Sequence, residues 1–302
     1  MVLKENFTLS NGVEIPKLGL GTWFIKNGDV AQAVREAVKL GYRHIDTAQA
    51  YNNEKGVGEG IRTCGVQREQ LFVTSKIAAE AKTYKKAAAA IDKSLKVMGL
   101  EYIDLMLIHS PQPWAKFGKD DRFFEGNAEA WRALEDAYKD GKLRAIGFAN
   151  FEKEDIDNIN KKATIKPMVN QILAHIGNTP TELIAYSQEQ GILVEGYSPV
   201  AHGALLNNEA VITMAKKYGV SVPQLSIRYD LQLGLLPLPK TANPAHMKNN
   251  GDVDFEISEE DMTTLKNVAK ITDYGEAGVM PVFGGELNFK NFIKMILLTI
   301  KS

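Results

Sequence analysis

Four ionisable side chains follow successive apolar runs of the sequence, and their types suit proton transfer. Asp46 and Tyr51 lie in GYRHIDTAQAY, Lys76 ends FVTSK, and His109 ends LMLIH. A tyrosine has an ordinary pKa of about 10 and is a poor acid, but an adjacent ammonium lowers that pKa and a carboxylate holds the ammonium in place. This combination would make a phenol a general acid or base. Taken singly, each residue also has a plainer explanation as a cap, a surface residue or a core residue.

An alternation of short apolar runs with amphipathic segments would bring these four side chains together. Val30, Val34 and Val38 show the helical spacing clearly. We predict eight strands that begin at the following residues: Lys17, Tyr42, Leu71, Ile103, Leu143, Lys166, Ile192 and Leu235. Eight parallel strands with helices between them close an α/β fold of the (β/α)8 TIM barrel type, whose strand ends share one rim. The four ionisable groups should therefore meet at that rim.

Both ends of the chain depart from this alternation. FTLSNGVEIP predicts a short N-terminal β-hairpin, because Asn11-Gly12 is a favoured tight-turn pair. No Pro/Gly/Ser-rich linker divides the chain, so we predict a single domain over residues 1–302. Its last segment, 289–302, is atypical, and the apolar run at 295–300 is short of the roughly 20 residues that a bilayer needs. A loop over the barrel mouth, a surface-seeking tail and non-native sequence all remain open for it.

The composition argues against several classes of function. A net charge of −1 gives no electrostatic reason to expect binding to nucleic acid or to a membrane surface. With one cysteine, Cys64, and five scattered histidines, no metal-ligand spacing is present, and we expect no metal site. The N-terminal residues lack the regions of a signal peptide, so we expect a cytoplasmic protein.

One glycine-rich stretch could be mistaken for a nucleotide-binding fingerprint. Gly56, Gly58 and Gly60 lie in NEKGVGEGIR, which has a helical pattern and does not directly follow a predicted strand. A Rossmann-type dinucleotide site requires a strand, then G-x-G-x-x-G, then a helix. We therefore expect any nucleotide to bind in another way.

The ordered set of motifs resembles the aldo-keto reductases. The segments that carry this resemblance are GYRHIDTAQAYNNE, LFVTSKI, YIDLMLIHSP, KLRAIGFANF, MVNQI, GYSP and LPLPKT, and together it covers Phe7 to about Lys270. It implies a (β/α)8 barrel that binds an extended nicotinamide cofactor, with the catalytic tetrad on Asp46, Tyr51, Lys76 and His109. By this similarity, Tyr51 donates a proton to the carbonyl oxygen, and Lys76 and Asp46 adjust the acidity of Tyr51. His109 orients the substrate.

The resemblance also implies which residues bind the cofactor and the substrate. Asn150 and Gln171 match positions that bond the carboxamide, and Tyr197 matches the ring on which the nicotinamide stacks. The remaining cofactor contacts are expected from Asp46, Thr22, Trp23, Ser198, Pro199, Val200, Lys240, Thr241, His246 and Asn250. Substrate contacts are expected from Trp23, Tyr51, His109 and Trp114.

Several positions depart from the family pattern and bear on the cofactor and the pocket. Thr241, His246 and Asn249 stand where the family commonly has serine, arginine and glutamate. The arginine normally faces the 2′-phosphate of NADPH, and a histidine is mostly neutral at pH 7. We therefore expect NADPH to be preferred and NADH also to be accepted. Ala149 replaces a serine that touches the carboxamide, and Ser110 replaces a tryptophan, which would widen the pocket.

Two functions remain after these observations. The first is an NAD(P)H-dependent oxidoreductase that reduces aldehydes or ketones to alcohols, with a small-molecule carbonyl substrate, no nucleic-acid partner, no membrane span and no required oligomer. The alternative is a non-catalytic barrel that binds the nucleotide in a regulatory or structural role. The tetrad favours the enzyme, because a binding protein has no use for Tyr51.

Overall fold

Two short antiparallel strands precede the main sheet. In the computed structural model, which describes residues 1–286, they are β1 (Asn6–Thr8) and β2 (Glu14–Pro16). Leu9 N donates to Val13 O at 2.9 Å, which leaves residues 10–12 as the turn. The predicted hairpin is confirmed.

Eight further strands form one parallel sheet in chain order. They are β3 (Gly19–Gly21), β4 (His44–Asp46), β5 (Phe72–Ile77), β6 (Ile103–Ile108), β7 (Leu143–Ala149), β8 (Val169–Leu173), β9 (Leu193–Tyr197) and β10 (Leu236–Leu238). A parallel bridge between Gly21 and Lys240 joins the two edges, and Gly21 N donates to Pro239 O at 3.0 Å. The predicted (β/α)8 barrel is confirmed. The strands are shorter than the apolar runs, because the ends of those runs leave the ladder to form the rim.

The helices surround this barrel and lie mostly between consecutive strands. They are α1 (Asn27–Lys39), α2 (Glu54–Thr63), α3 (Tyr84–Met98), α4 (Phe124–Lys139), α5 (Lys153–Lys162), α6 (Thr181–Glu189), α7 (Glu209–Lys217), α8 (Val222–Gln232), α9 (Pro244–Gly251) and α10 (Glu259–Lys266). Short 3-10 turns occur at Val2–Lys4, Gln49–Tyr51, Arg68–Gln70, Trp114–Lys116, Ala201–Asn207, Gly275–Val279 and Pro281–Phe283.

Local sequence explains where one of these helices begins and ends. At the start of α3, Thr83 Oγ1 accepts a hydrogen bond from Lys86 N, as a helix N-cap should. At its end, Gly99 adopts φ +64°, a left-handed conformation that glycine reaches without strain. The chain can therefore turn directly from this helix toward β6.

The three glycines of the misleading motif serve helix packing. Gly56, Gly58 and Gly60 lie inside α2, as predicted. A Cβ on Gly56 would come within 2.2 Å of Asn27 O, and one on Gly58 within 2.1 Å of Met98 O. Because the backbones of α1 and α3 lie this close to α2, these positions require glycine for helix packing.

The end of the described chain approaches the C-terminal rim of the barrel. Phe283 lies 6.0 Å from Trp23 and 6.3 Å from Tyr197, measured between ring centroids. This contact agrees with a C-terminal segment over the barrel mouth. The atypical segment 289–302 lies outside the described residues, and the single domain over 1–302 stays a prediction for the same reason.

Residues 1–286 contain neither a candidate membrane-spanning helix nor a candidate metal-binding cluster. None of their helices is long and apolar enough to cross a membrane. Nor do their histidine, cysteine and acidic side chains form a group of three or more that could hold a metal ion.

Candidate active site

The ammonium of Lys76 is the centre of the predicted tetrad. Its Nζ donates to the two carboxylate oxygens of Asp46 at 2.6 and 2.8 Å and to Thr47 O at 2.9 Å. The hydroxyl of Tyr51 lies 3.4 Å from the same nitrogen. Lys76 is fully buried and Asp46 is 3% exposed, so the ion pair is shielded from water. The fold therefore brings together the three residues that were predicted to act on one proton.

Strand register and one loop anchor explain how these side chains meet. Asp46 is the last residue of β4 and pairs with Thr74 on β5, so Lys76 lies two residues further on and points to the same side of the sheet. Tyr51 closes the 3-10 turn that follows β4. Asn53 holds this turn, because its Nδ2 donates to Thr22 O and Ile25 O, both at 2.9 Å.

Burial and charge act in opposite directions on the two key pKa values. Burial lowers the pKa of Lys76, but the charge of Asp46, together with smaller contributions from Tyr51, the hydrogen bond to Asp46 and Glu195, outweighs it and the net direction is upward. Burial raises the pKa of Tyr51 above its ordinary value, and the ammonium of Lys76 opposes this only in part. The expected effect of the ammonium is therefore present, but burial sets the net direction of the pKa of Tyr51. The phenol is protonated at neutral pH, as a proton donor must be.

His109 follows β6 and lies beside the phenol. Its ring is edge-on to Tyr51 at 5.7 Å and to Trp114 at 5.1 Å. Burial, with a smaller contribution from Lys76, holds the pKa of His109 well below its usual range. Within residues 1–286 its buried Nδ1 has no hydrogen-bond partner, which leaves Nε2 as the ring nitrogen available to a substrate. The side chain is therefore a neutral polar group in an aromatic wall.

Aromatic rings from distant parts of the chain enclose the phenol. Trp23 stacks on Tyr51 at 6.3 Å and on Phe24 at 4.2 Å. The sequence analysis predicted Trp23 and Trp114 for this wall and missed Phe24 and Phe283. Phe24 could have been found from its position after the first strand, next to Trp23. No pattern in the sequence distinguishes Phe283 from an ordinary core residue.

The predicted carboxamide-binding residues lie on the neighbouring strand ends. Asn150 Nδ2 donates to His109 O at 3.0 Å, and Tyr197 OH donates to Asn150 Oδ1 at 2.7 Å. Asn150 adopts φ +61°, a conformation that asparagine tolerates better than most residues. Gln171 Nε2 donates to Asp46 Oδ2 at 2.9 Å and to Glu195 Oε2 at 2.8 Å. These contacts connect the predicted cofactor residues directly to the tetrad.

Glu195 is the residue of this network that the sequence analysis missed. It lies in β9 and is completely buried, and in the described part of the chain one of its carboxylate oxygens has no partner. Burial, followed by repulsion from Asp46, raises its pKa to about 8. A carboxylate within the apolar run ILVEGY was the available signal, since acidic residues are depleted in strands.

The loop after β9 crosses the barrel mouth in a strained conformation. Ser198 has φ +56° and His202 has φ +53°, and Ser198 Oγ lies 3.0 Å from His202 Nε2. The ring of His202 is edge-on to Trp23 at 5.4 Å, while Pro199 is buried and Val200 is half-buried. Strain of this kind is found at ligand-binding loops. The predicted residues 198–200 are thus close to Trp23.

The residues predicted to reach the far end of a dinucleotide differ in their exposure. Lys240 and His246 are exposed, whereas Thr241 and Asn250 are buried. Thr241 Oγ1 accepts a hydrogen bond from Asn243 N at 3.0 Å, but its own proton remains available. Thr22 is separate from this group, since its hydroxyl donates to Asp46 O at 2.8 Å. Thr22 therefore holds the backbone of Asp46, a member of the tetrad.

Comparison with known proteins agrees with this geometry. The profile of the Aldo/keto reductase family matches residues 17–270. The glyoxal reductase of Bacillus subtilis (strain 168) is 45% identical over 270 residues, covering 89% of this chain and 94% of that protein. The aldehyde reductase of Saccharomyces cerevisiae is 37% identical over 290 aligned positions, covering 87% and 90% of the two chains.

A solved structure agrees as well. The aldo-keto reductase of Bombyx mori, in complex with NADP, is 32% identical and superposes with a TM-score of 0.80. The similarity covers 91% of this chain and 95% of that one. Fold, buried tetrad, family profile and relatives lead to the same assignment: this chain belongs to the aldo-keto reductase family.

Proposed function

We propose that this protein reduces aldehydes or ketones to alcohols with NADPH, and that Tyr51 is the general acid. The observation that carries the proposal is the buried contact of Tyr51 with Lys76 and Asp46. A phenol in this setting is protonated before the reaction, and an ammonium is in place to stabilise the phenolate that forms. A nucleotide-binding barrel without catalytic activity would not need this arrangement.

Each member of the tetrad has one task in the proposed reaction. A bound nicotinamide supplies the hydride that the carbonyl carbon accepts. Tyr51 donates its hydroxyl proton to the carbonyl oxygen, and Lys76 Nζ, 3.4 Å away, stabilises the resulting negative charge. Asp46 holds Lys76 charged in the buried site. His109, whose ring is edge-on to Tyr51, donates a hydrogen bond from Nε2 that orients the substrate oxygen.

The residues at the strand ends fit a nicotinamide dinucleotide. Tyr197 presents a half-exposed ring whose hydroxyl is fixed by Asn150, which suits stacking of a planar heterocycle. Within residues 1–286, Gln171 Oε1 accepts no hydrogen bond and is open to a carboxamide N–H. The strained loop at 198–200 and the exposed Lys240 suit the phosphate groups.

The preference between NADPH and NADH depends on the residues at the exposed end of the proposed cofactor site. Lys240 and Thr241 offer a charge and a hydroxyl to a 2′-phosphate, which supports a preference for NADPH, and the Bombyx mori relative was solved with NADP. His246 replaces the arginine that would make the preference strong. We therefore propose dual use with NADPH preferred. An NADPH to NADH ratio of kcat/KM above about a thousand, roughly 4 kcal/mol, would contradict it.

The proposed substrates are small carbonyl compounds with an apolar or dicarbonyl character. Trp23 stacks on the phenol, and Phe283 and Trp114 extend this aromatic wall through their contacts with Trp23 and His109. The names of two relatives, glyoxal reductase and aldehyde reductase, fit this class. Ser110 is buried and its Oγ accepts a hydrogen bond from Gln112 N, while Trp114 packs on His109 a few residues further on.

Consumption of NADPH and NADH with glyoxal and with a small aromatic aldehyde tests the proposal. The wild type should turn over, and Tyr51→Phe should lower kcat by about a thousandfold while it still binds NADPH. Tyr84→Phe is a matched control, because Tyr84 lies on the outer helix α3 and, among residues 1–286, its hydroxyl bonds only Asp136. Undiminished turnover by Tyr51→Phe would overturn the mechanism. Cofactor binding without turnover by the wild type would instead support the non-catalytic barrel.

A further inference from the structure

The buried carboxyl group of Glu195 has no task in the reaction proposed above. It lies on β9 and is completely buried, and among residues 1–286 its Oε1 has no hydrogen-bond partner. Burial of an acidic group without full hydrogen bonding costs free energy, so its presence calls for a compensating effect. The group that Glu195 does contact, Gln171, supplies one.

The amide of Gln171 is held between two carboxyl groups on opposite sides. Its Nε2 carries two N–H groups, of which one donates to Asp46 Oδ2 at 2.9 Å and the other to Glu195 Oε2 at 2.8 Å. Asp46 belongs to β4 and Glu195 to β9, so the side chain spans the inside of the barrel. Both donors are therefore occupied, and Oε1 is the remaining polar atom of the amide.

A side-chain amide can exchange its nitrogen and oxygen by a half-turn that hardly changes its shape. Here the exchanged oxygen would face Asp46, which is ionised in its pair with Lys76, and it would lose both hydrogen bonds. Asp46 is held in that ion pair in any case. Glu195 adds a second acceptor, on the side where Asp46 does not reach.

We infer that Glu195 is a positioning residue, which with Asp46 fixes the Gln171 amide so that Oε1 accepts a hydrogen bond from the nicotinamide carboxamide. This inference rests on the proposed function, because it requires a nicotinamide cofactor. Without Glu195, one N–H of Gln171 would be buried and unpaired, and the amide would rotate to satisfy it. The carboxamide would then lose a uniquely oriented acceptor.

Binding of two oxidised cofactors, measured by titration calorimetry, tests this. NADP⁺ carries the carboxamide N–H₂ group, whereas its 3-acetylpyridine analogue has a methyl group of similar size in that place. The wild type should bind NADP⁺ about five to ten times more tightly than the analogue, the ratio that one hydrogen bond gives. In Glu195→Met this ratio should fall toward one, because only the NADP⁺ affinity decreases.

Two further variants separate orientation from general damage to the fold. Glu195→Gln should keep the ratio, because its side-chain oxygen can still accept from Gln171. Glu135→Met is the control, since Glu135 is also buried but bonds the backbone of Thr164 and Ile165 outside the barrel. If Glu195 had a purely structural role, its loss would lower the affinities for NADP⁺ and for the analogue by the same factor. Should Glu195→Met fail to fold, Glu195→Thr removes the same carboxyl group with a smaller side chain.

The outcomes distinguish this inference from the proposed function. An unchanged ratio in Glu195→Met or Glu195→Thr, or a ratio of one in the wild type, would overturn the inference and leave the reductase activity untouched. Failure of the wild type to bind NADP⁺ would overturn both.

Discussion

The two lysines of the predicted cofactor cleft occupy opposite environments. Lys76 is fully buried and contacts Asp46, Thr47 and Tyr51. Lys240 is exposed, and within the described part of the chain it makes no ion pair. Lys76 lies near the end of β5 and Lys240 follows β10, so both are at the C-terminal rim of the same barrel. Of the two, Lys76 is the one that contacts with neighbouring residues hold in place.

In the proposed function, this difference separates the residues that carry out the reaction from those that select the cofactor. Charges in the buried corner interact strongly because little water screens them, and each depends on the others. Charges near Lys240 and His246 are screened by solvent and act almost independently. Substitutions in the first region should therefore affect folding and kcat together, whereas those in the second should change only cofactor preference.

The largest expected effect comes from removal of the buried ammonium. Lys76→Met should lower the free energy of unfolding by about 3 to 5 kcal/mol, because Asp46 remains buried without its partner. Lys240→Met should change it by less than about 0.5 kcal/mol, since the side chain is exposed. Urea unfolding monitored by circular dichroism gives both values.

A double variant sharpens this comparison. Adding Asp46→Leu to Lys76→Met removes the unpaired charge and should recover most of the lost stability while the protein stays inactive. Equal losses for Lys76→Met and Lys240→Met would show that the two lysines do not differ as their burial indicates.

A smaller effect is expected from the pH dependence of stability. The raised pKa of Glu195, about 8 against 4.5 in the unfolded chain, means that the folded protein holds a proton which the unfolded chain has released. Between these values the free energy of unfolding should fall as pH rises, by up to about 1.4 kcal/mol per pH unit. The charged groups that face Glu195 are Asp46 and Lys76.

Glu195→Gln removes this titration, and Glu135→Gln is the matched control in α4. The difference in unfolding free energy between wild type and Glu195→Gln should therefore grow from about pH 5 to about pH 8 in favour of the variant. Parallel stability curves for these two proteins would mean that Glu195 is already ionised in the folded state.

The smallest effect is expected at the exposed end of the cleft. His246→Arg should raise the NADPH to NADH ratio of kcat/KM about tenfold, because a guanidinium donates two charge-assisted hydrogen bonds to a phosphate. Saturated kcat with NADPH should not change, since His246 lies on the exposed face of α9. Steady-state kinetics with both cofactors checks this.

Lys248→Arg is the control, because it places an arginine elsewhere on the same helix. It should leave the NADPH to NADH ratio of kcat/KM unchanged. A fall in saturated kcat for His246→Arg would contradict the separation of chemistry from cofactor choice.

Sequence patterns predicted the barrel because the buried positions of each strand and each helix carry apolar residues at a regular spacing. Val30, Val34 and Val38 are buried on one face of α1, and the eight predicted runs coincide with the eight parallel strands. The tetrad could be placed for a related reason, since Asp46 and Lys76 are unfavourable in strands unless they meet each other.

The sequence by itself therefore determined the strand and helix order, the barrel, and the rim at which Asp46, Tyr51, Lys76 and His109 lie. Only the tertiary structure decided the upward shift of the pKa of Tyr51, the contact of Glu195 with Gln171, and the approach of Phe283 to Trp23. The physical reason is distance along the chain. Periodicity reports whether a residue is buried, but desolvation and pairing depend on which distant residues share that buried space.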